Sequence, residues 1–479
     1  MSCRQVAISR ANSSFSDHRR SLPPIDCHRL TLPSSFKSSR HSILTLLSSD
    51  ANGDRGFLLQ VDLVYPKALH DQHNDFPMIA EQLKITVDML SSYNKGFLKK
   101  NKIKFTSQTK LCPNFNAKQN YVCSLENLQL YIKHGIELVR IESICSFKQT
   151  EFMVPFISLN SELRKLANSP FKRDNYKLMN NSQFGKFIED VMKRTKVDVC
   201  DSLKKANFLT TRPQYRGFRI IDSSHALVQR VPGSIKLNSP IACGAMVLEK
   251  SKAIMLRFWY EELKPRYGDK ISLILSDTDS FIFEVTTDNV YQDMYNMRHL
   301  MDLSDYSHLS PYFDDSNRKV PGKFKDETPS RVIAECVALK PKMYSLKSFG
   351  YFDEDEVIQK DDWWSHYEYD QWWERASPTL SLTQLKGGEW SSTTFREKTD
   401  QTAKGVNRAA KRSIRHDAYL KCLRKGTTKS VIQRTIRASK FKLYSLEMRK
   451  RALSAFDDKK HLLPDGQHTL AYGHYRIKG

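Results

Sequence analysis

The sequence lacks the features of a disulfide scaffold, a zinc module and a membrane protein. None of its nine Cys lies in a C-x-x-C pair, which argues against a disulfide framework and a zinc ribbon and favours an intracellular, reducing environment. No apolar run approaches the roughly 18 residues that a membrane helix needs, so no membrane partner is expected. Acidic residues are also fewer than basic ones: Lys and Arg outnumber Asp and Glu by 76 to 53. This excess favours a polyanionic partner, with nucleic acid as the first candidate.

The composition changes along the 479 residues, which are enough for several subdomains. Residues 1–54 are rich in Ser and predict a disordered leader, although the absence of acids from the first 16 residues is also typical of a mitochondrial presequence. Residues 351–400 carry 12 acids against 5 bases and two Trp-Trp pairs, and we leave this acidic insertion unassigned. Residues 401–479 carry 20 bases against 5 acids, which predicts a basic module.

The stretch KISLILSDTDSFIFEV, residues 270–285, places Asp277 and Asp279 between two apolar runs. The pattern predicts two short strands joined by a tight turn, and alternation by two would point both carboxylates the same way. Their repulsion is relieved either by a divalent cation or by solvent. A solvated turn is the alternative reading, but the apolar strands favour a hairpin whose tip lies at a cleft.

Asp62 is a candidate for a third carboxylate in the same site. It ends the predicted strand FLLQV and is followed closely by Tyr65 and Pro66. An Asp that caps a strand is the alternative interpretation. Together with the hairpin, Asp62 would complete a carboxylate cluster able to hold two Mg²⁺ ions, with Mn²⁺ as the alternative, for a phosphoryl displacement.

The stretch KLMNNSQFG, residues 177–185, predicts a helix with a cationic face. Lys177, Asn181 and Phe184 share one side of that helix, and Arg173 and Lys165 extend it backwards. An ordinary amphipathic helix is the alternative. A cationic face would bind a triphosphate, and a flat aromatic ring would stack on a base.

The motifs DLVYP, KLMNNSQFG and SDTDS, in that order, resemble the motifs of family B DNA polymerases. The stretch KPKMYSL at residues 340–346 is similar to the Lys-x-Tyr motif that follows them. The sequences of these motifs are most similar to those of the protein-primed branch, particularly polymerases of Polinton-type transposons and related linear elements. The resemblance covers residues 55–350 and 401–479. It implies an α+β right hand with an antiparallel-sheet palm, helical fingers and a basic thumb.

The resemblance also implies three groups of site residues. The catalytic and metal-binding group comprises Asp62, the Leu63 carbonyl, Asp277 and Asp279. The nucleotide-binding group comprises Tyr65, Lys165, Arg173, Lys177, Asn181 and Phe184. The group at the primer end comprises Lys342 and Tyr344. Tyr65 would be the aromatic floor that excludes a ribose 2′-hydroxyl.

The same resemblance implies a division into domains. The palm would comprise residues 55–100 and 201–350, and residues 101–155 would form an insertion of the protein-primed type. The fingers would comprise residues 156–200 and the thumb residues 401–479. The sequence departs from the family pattern at four points. Residues 351–400 have no recognised counterpart in the family. The first motif is two residues shorter than usual, Ser276 stands where an aromatic-small pair usually precedes the aspartates, and Phe184 replaces Tyr.

These features predict a DNA-directed DNA polymerase that uses a DNA template, a primer and deoxynucleoside triphosphates, with a terminal priming protein left open. The nucleus is the expected location and the mitochondrion the alternative. Only 61 residues precede Asp62, so we expect an N-terminally truncated chain that cannot proofread. The alternatives are an inactive nucleic-acid-binding remnant and a generic basic binding protein. The three retained carboxylates favour the enzyme.

Overall fold

A computed structural model describes residues 3–11, 28–30, 40–236, 239–329, 331–353, 393–439 and 442–477. The strands, in chain order, are β1 (Cys3–Ala11), β2 (His28–Leu30), β3 (Arg55–Val64), β4 (Ala80–Ile85), β5 (Gln108–Pro113), β6 (Lys118–Ser124), β7 (Glu137–Lys148), β8 (Lys196–Cys200), β9 (Tyr215–Ile220), β10 (Ala226–Arg230), β11 (Ile271–Asp277), β12 (Ser280–Thr287), β13 (Phe324–Asp326), β14 (Arg331–Lys340), β15 (Met343–Asp353), β16 (Thr393–Ala403), β17 (Thr428–Ser439), β18 (Lys442–Ser454), β19 (His461–Leu462) and β20 (Thr469–Leu470).

The helices, in chain order, are α1 (Arg40–Leu47), α2 (His70–His73), α3 (Ser92–Lys100), α4 (Leu125–Lys133), α5 (Val154–Leu166), α6 (Pro170–Phe187), α7 (Leu203–Thr210), α8 (Ile241–Arg257), α9 (Lys264–Tyr267), α10 (Val290–Asn296), α11 (Arg408–Lys411) and α12 (His416–Lys425). A π-helical turn, Phe258–Leu263, joins α8 to α9. Among the helices that the structure describes, none is both long enough and apolar enough to cross a bilayer.

Two antiparallel sheets carry the predicted catalytic motifs. One has the strand order β2-β7-β3-β6, and the other has the order β11-β12-β1-β14-β15-β16, with β13 also pairing with β1. The ladders between the named strands of both sheets are antiparallel. The prediction of an α+β fold built on antiparallel sheets is therefore confirmed.

A shared hydrophobic core holds these two sheets together. Leu59 and Val61 of β3 and Phe281 of β12 belong to the same buried cluster, as does Trp259 of the π-helical turn. α8, the π-helical turn and α9 form one continuous helical run that precedes the hairpin. The strand that carries Asp62 and the hairpin that carries Asp277 are therefore packed on one common core.

The predicted disordered leader is corrected where the structure describes it. β1 pairs with β12, β13 and β14, β2 pairs with β7, and α1 precedes β3. The pairing partners of β1 lie about 270 residues or more further along the chain, so local sequence patterns do not reveal them. Residues 12–27 and 31–39 lie outside the described residues.

Two of the predicted domains contain strands whose pairing the structure describes. Within the predicted insertion 101–155, β6 and β7 flank β3 directly, and α4 contributes Leu128 and Tyr131 to the shared core. Within the predicted palm, β9 and β10 form a separate sheet with β8, covered by α7. β6 and β7 therefore belong to the sheet that contains β3, whereas β8, β9 and β10 form a sheet of their own.

The basic C-terminal region forms more than a single module. β17 and β18 make a long hairpin, and α12 packs beside it against Val337 and Met343 of β14 and β15. The residues that follow return to the first part of the chain, where Ala471 joins the shared core. Most of the acidic insertion, residues 354–392, lies outside the described residues, and β15 and β16 pair on either side of it.

Candidate active site

Asp62 lies on the face of β3 opposite the core. Leu59, Val61 and Leu63 alternate with it and are buried, whereas the Asp62 side chain remains 14% exposed. Both ladders beside β3 change register at this point, between Val61 and Leu63 on one side and between Asp62 and Leu63 on the other. Bulges of this kind redirect side chains and are common next to active sites.

The Asp62 carboxylate is held by two donors. It accepts a hydrogen bond from the Asn120 backbone N–H at 2.7 Å and one from Arg140 Nη2 at 2.9 Å. The Asn120 hydrogen bond is the main reason that the pKa of Asp62 lies below its ordinary value, and Arg140 adds to the effect. Asp62 is therefore ionised at neutral pH and faces positive charge.

The hairpin lies at the predicted residues. Its turn is tighter than a strand in which side chains alternate through Asp279 would allow. Asp277 pairs with Ser280 across the hairpin. Thr278 has a φ of 60° and the Asp279 N–H donates to the Asp277 carbonyl at 2.7 Å, which is the geometry of a strained γ-turn. The expectation that Asp277 and Asp279 alternate onto one side does not apply, because the strand ends at Asp277. Strained turns of non-glycine residues concentrate at functional sites.

The structure brings the Lys-x-Tyr motif next to this hairpin. Lys342 Nζ lies 3.3 Å from Asp277 Oδ1. Tyr344 is half-buried and packs against the cluster that contains Leu275 and Ile282 of the hairpin strands. The predicted neighbours of the primer end therefore lie beside the predicted catalytic turn.

Five of the six predicted nucleotide-binding residues, all except Tyr65, lie on two adjacent helices. Arg173, Lys177, Asn181 and Phe184 all belong to α6, where Arg173 and Asn181 are exposed and Lys177 and Phe184 are half-buried. Lys165 belongs to α5, and its Nζ lies 3.0 Å from Glu162 Oε1. Arg173 and Lys177 lie one turn apart on α6, as the spacing predicts. The expectation that Lys165 extends the same helix is corrected, because α5 ends at Leu166 and α6 begins at Pro170.

Asn180 is a residue of this helix pair that sequence reasoning missed. It is buried, and its Nδ2 donates to the Ile157 carbonyl and to Ser161 Oγ on α5, each at 3.4 Å. It therefore ties α6 to α5. Its place beside Asn181 in the motif NNS gave no signal of which Asn faces inward.

Tyr65 lies in the core and does not form an open floor. It is buried, its hydroxyl lies 2.6 Å from His73 Nδ1, and its ring packs edge-on against His70, His73 and Phe115. Burial is the main reason that its pKa is raised. The expectation that Tyr65 faces a nucleotide is therefore corrected: the buried aromatic and histidine neighbours enclose its ring.

The carboxylates have the right chemistry for a hard cation but are not assembled into one group. Carboxylate oxygens are the donors that Mg²⁺ prefers, and Asp62 and Asp277 each already face a cationic side chain. Within the residues described, however, no group of three or more His, Cys, Asp or Glu side chains is placed to hold a metal ion. Asp62 contacts Arg140 and Asp277 contacts Lys342, each separately.

The buried imidazole of His73 predicts a loss of stability in acid. Burial is the main reason that the pKa of His73 falls from 6.5 to about 4. Because the unfolded chain takes up this proton near pH 6.5 and the folded chain only near pH 4, stability should decline between those values by about 3 kcal/mol. We expect the unfolding midpoint to fall over this range and His73→Gln to flatten the fall. His468→Gln, at an exposed position, is the control, and an equally steep fall in both variants would contradict the assignment.

Part of this chain matches a known family of proteins. Residues 64–240 match the sequence model of DNA polymerase type B, organellar and viral. The match includes α5 and α6 and covers less than half of the chain. Asp62 and the β11-β12 hairpin lie outside it. No curated protein matches the chain.

Solved structures similar to this chain include three of Phi29 DNA polymerase. The orthorhombic crystal form has 11% sequence identity and a TM-score of 0.47, and the ternary complex with primer-template DNA and incoming nucleotide substrates has 11% and 0.46. In both cases the similarity covers 95% of this chain and 59% of the other. The binary complex with primer-template DNA has 12% identity and a TM-score of 0.43, with 94% and 58% covered. The chain thus spans about three fifths of the length of these structures.

Proposed function

We propose that this chain is a DNA-directed DNA polymerase that adds deoxynucleotides to a primer 3′-hydroxyl. The observation that carries the proposal is the type B polymerase match over residues 64–240, which contains the cationic face of α6. The amino-acid sequences of the motifs support the more specific proposal of a protein-primed enzyme of a Polinton-type element. One similar solved structure is Phi29 DNA polymerase complexed with primer-template DNA and incoming nucleotide substrates, and we propose the same partners here.

The chain's own residues would bind and orient the substrates. Arg173 and Lys177 would hold the triphosphate by charge-assisted hydrogen bonds, and the half-buried ring of Phe184 would support the base. Lys342 and Tyr344 would position the primer end beside Asp277. Asp62, the Leu63 carbonyl and Asp279 would hold Mg²⁺, which would supply electrostatic stabilisation of the charge that develops on the phosphate. Arg140, whose side chain is largely exposed, could turn away from Asp62 without disturbing the core.

A second candidate function is an inactive nucleic-acid-binding remnant of a mobile-element polymerase. The pairing of Asp62 with Arg140 and of Asp277 with Lys342 favours it, because those cations occupy the carboxylates that a metal would need. Primer extension with the purified chain and Mg²⁺ separates the two candidates. Extension that follows the template supports the enzyme, and tight DNA binding without extension supports the remnant.

Lys177→Ala should mainly impair the use of nucleotide. Removing a charge from the triphosphate should lower kcat/KM for the nucleotide by about tenfold to a hundredfold and leave the affinity for primer-template DNA unchanged. Lys186→Ala is a matched control on α6, because Lys186 pairs with Glu189 at the surface. Unchanged nucleotide kinetics together with weaker DNA binding would instead assign Lys177 to the DNA path.

The β17-β18 hairpin should contribute to the salt dependence of DNA binding. Arg437 and Arg449 are both exposed on it, and each phosphate contact contributes about 0.9 to the slope of log K against log salt. Arg437→Gln combined with Arg449→Gln should therefore reduce the magnitude of the slope by about 2. Lys84→Gln, on β4, is the control. Substitutions are preferable to deletion, because α12 and β18 contribute to a hydrophobic core. An unaltered slope would exclude these side chains from the DNA contact.

A further inference from the structure

A buried histidine joins α12 to the strand that carries most of the Lys-x-Tyr motif. His416 is the first residue of α12 and is 3% exposed. Its Nδ1 lies 2.8 Å from Oγ of Ser345 on β15, and Ser345 is completely buried. The two residues are 71 positions apart in the sequence. This hydrogen bond therefore connects the C-terminal region of the chain to β15.

The surroundings of the His416 imidazole define which nitrogen carries the proton. Nε2 lies 3.2 Å from Oε2 of Glu335 on β14, although the two atoms are not aligned as a hydrogen bond. A neutral imidazole has one N–H, and its other nitrogen is an acceptor. An N–H at Nε2 is attracted by the carboxylate, whereas a lone pair there would be repelled. The proton therefore belongs on Nε2, and the Ser345 hydroxyl donates to Nδ1.

The two sides of β15 contact different parts of the molecule. On one side, Ser345 contacts α12, and Met343 packs in the hydrophobic cluster to which α12 contributes. On the other side, Tyr344 packs against the cluster that includes the β11-β12 hairpin. Lys342, just before the strand, lies 3.3 Å from Asp277 of that hairpin. Because β15 lies between α12 and the hairpin, a shift of this strand would move the primer-end residues relative to Asp277.

The contact between His416 and Ser345 is directional, unlike the apolar packing around it. Hydrophobic contacts depend mainly on the area removed from water and have no preferred direction. A hydrogen bond requires a short distance and a favourable angle, and loss of either partner leaves a buried polar atom unsatisfied. The pair therefore favours one position of α12 along β15.

We propose that His416 is a positioning residue for the primer end. Through Ser345 it holds β15 in the place where Lys342 and Tyr344 adjoin the hairpin. The inference deepens the proposed function and rests on it for the role of the primer end. His416 acts only through the strand, because it contacts the side of β15 opposite the hairpin.

Two substitutions of His416 separate positioning from simple packing. The side-chain amide of Asn lies about where the imidazole has Nδ1, and that of Gln about where it has Nε2. We expect His416→Gln to lose the Ser345 contact and lower kcat for nucleotide addition about tenfold, with KM for nucleotide unchanged, because a misplaced primer end slows transfer without weakening binding. His416→Asn should keep the contact and most of the kcat. Equal kcat values for the two folded variants would overturn the proposal.

Ser345→Ala tests the same contact from its other partner. It should also lower kcat about tenfold, and combining it with His416→Gln should cost no more than either change alone, because both remove one interaction. Ser348→Ala is the matched control, since Ser348 is also buried on β15 but its hydroxyl donates to the Lys398 carbonyl of β16 at 3.4 Å. An equal loss in this control, or no loss in Ser345→Ala, would overturn the proposal.

Deuterium uptake by the free chain tests the link without substrate or turnover. Backbone amides of residues 343–347 should exchange faster in His416→Gln and Ser345→Ala than in the wild type or in Ser348→Ala, because the strand opens more easily once the contact is lost. Unchanged uptake in both folded variants would overturn the inference, whatever the chain does to DNA. Faster exchange in a chain that never extends a primer would contradict the proposed function alone.

Discussion

Asp279→Asn and Asp62→Asn are each expected to reduce nucleotide addition by about a thousandfold or more, while primer-template affinity stays at the wild-type value. Asn keeps the shape of the side chain and loses the charge that a hard cation requires. DNA binding should persist, because phosphates are contacted by cations elsewhere on the surface. Single-turnover primer extension and a parallel DNA titration measure the two effects.

Asp269→Asn is the matched control for these variants. Asp269 is exposed in the short turn that immediately precedes β11, so its substitution changes charge near the hairpin without touching the proposed catalytic residues. We expect its extension rate to equal that of the wild type. Rates for Asp62→Asn or Asp279→Asn that match the control would remove these carboxylates from the chemistry.

Phe281→Ala should cause one of the largest losses of stability in the molecule. The ring follows the catalytic turn by two residues, is 0% exposed, and has centroid distances of 5.2 Å to Phe76 and 5.6 Å to Trp259. Removing a buried Phe leaves a cavity and lowers the free energy of unfolding by about 3–5 kcal/mol. Urea denaturation followed by fluorescence measures the loss.

Phe171→Ala provides the comparison for that loss. Phe171 is 81% exposed at the start of α6, so its removal should change the free energy of unfolding by about 0.5 kcal/mol or less. Equal effects of the two substitutions would mean that the aromatic cluster around Phe281 does not support the hairpin as the structure describes.

The features that the sequence predicted well are those determined by local patterns. The hairpin at residues 270–285 combines apolar strands with a polar turn, and the structure has β11 and β12 there. The cationic face of α6 follows from the spacing of Arg173 and Lys177, which lie one turn apart on that helix. Each of these features depends on contacts between residues that are close in sequence.

The features that the sequence did not reveal depend on distant contacts. Arg140 donates a hydrogen bond to Asp62 although the two residues are 78 positions apart in the sequence. The strand register places Arg140 of β7 directly opposite Asp62 of β3. β1 enters the sheet between β12 and β14, far from its own neighbours in sequence. Tyr65 belongs to the first motif, DLVYP, but the histidines of α2 and Phe115 enclose it. Such pairings are set by the packing of whole elements, which no short window of sequence contains.

Primer extension on a set of matched templates shows directly whether this chain copies DNA. The purified chain is given a primer paired to each of four templates that differ only in the first unpaired base, with Mg²⁺ and all four deoxynucleotides. We expect the nucleotide added to complement the template base in every case, and Asp279→Asn to add none. A folded chain that binds these substrates but adds no nucleotide, or adds nucleotides regardless of the template base, is not a template-directed polymerase.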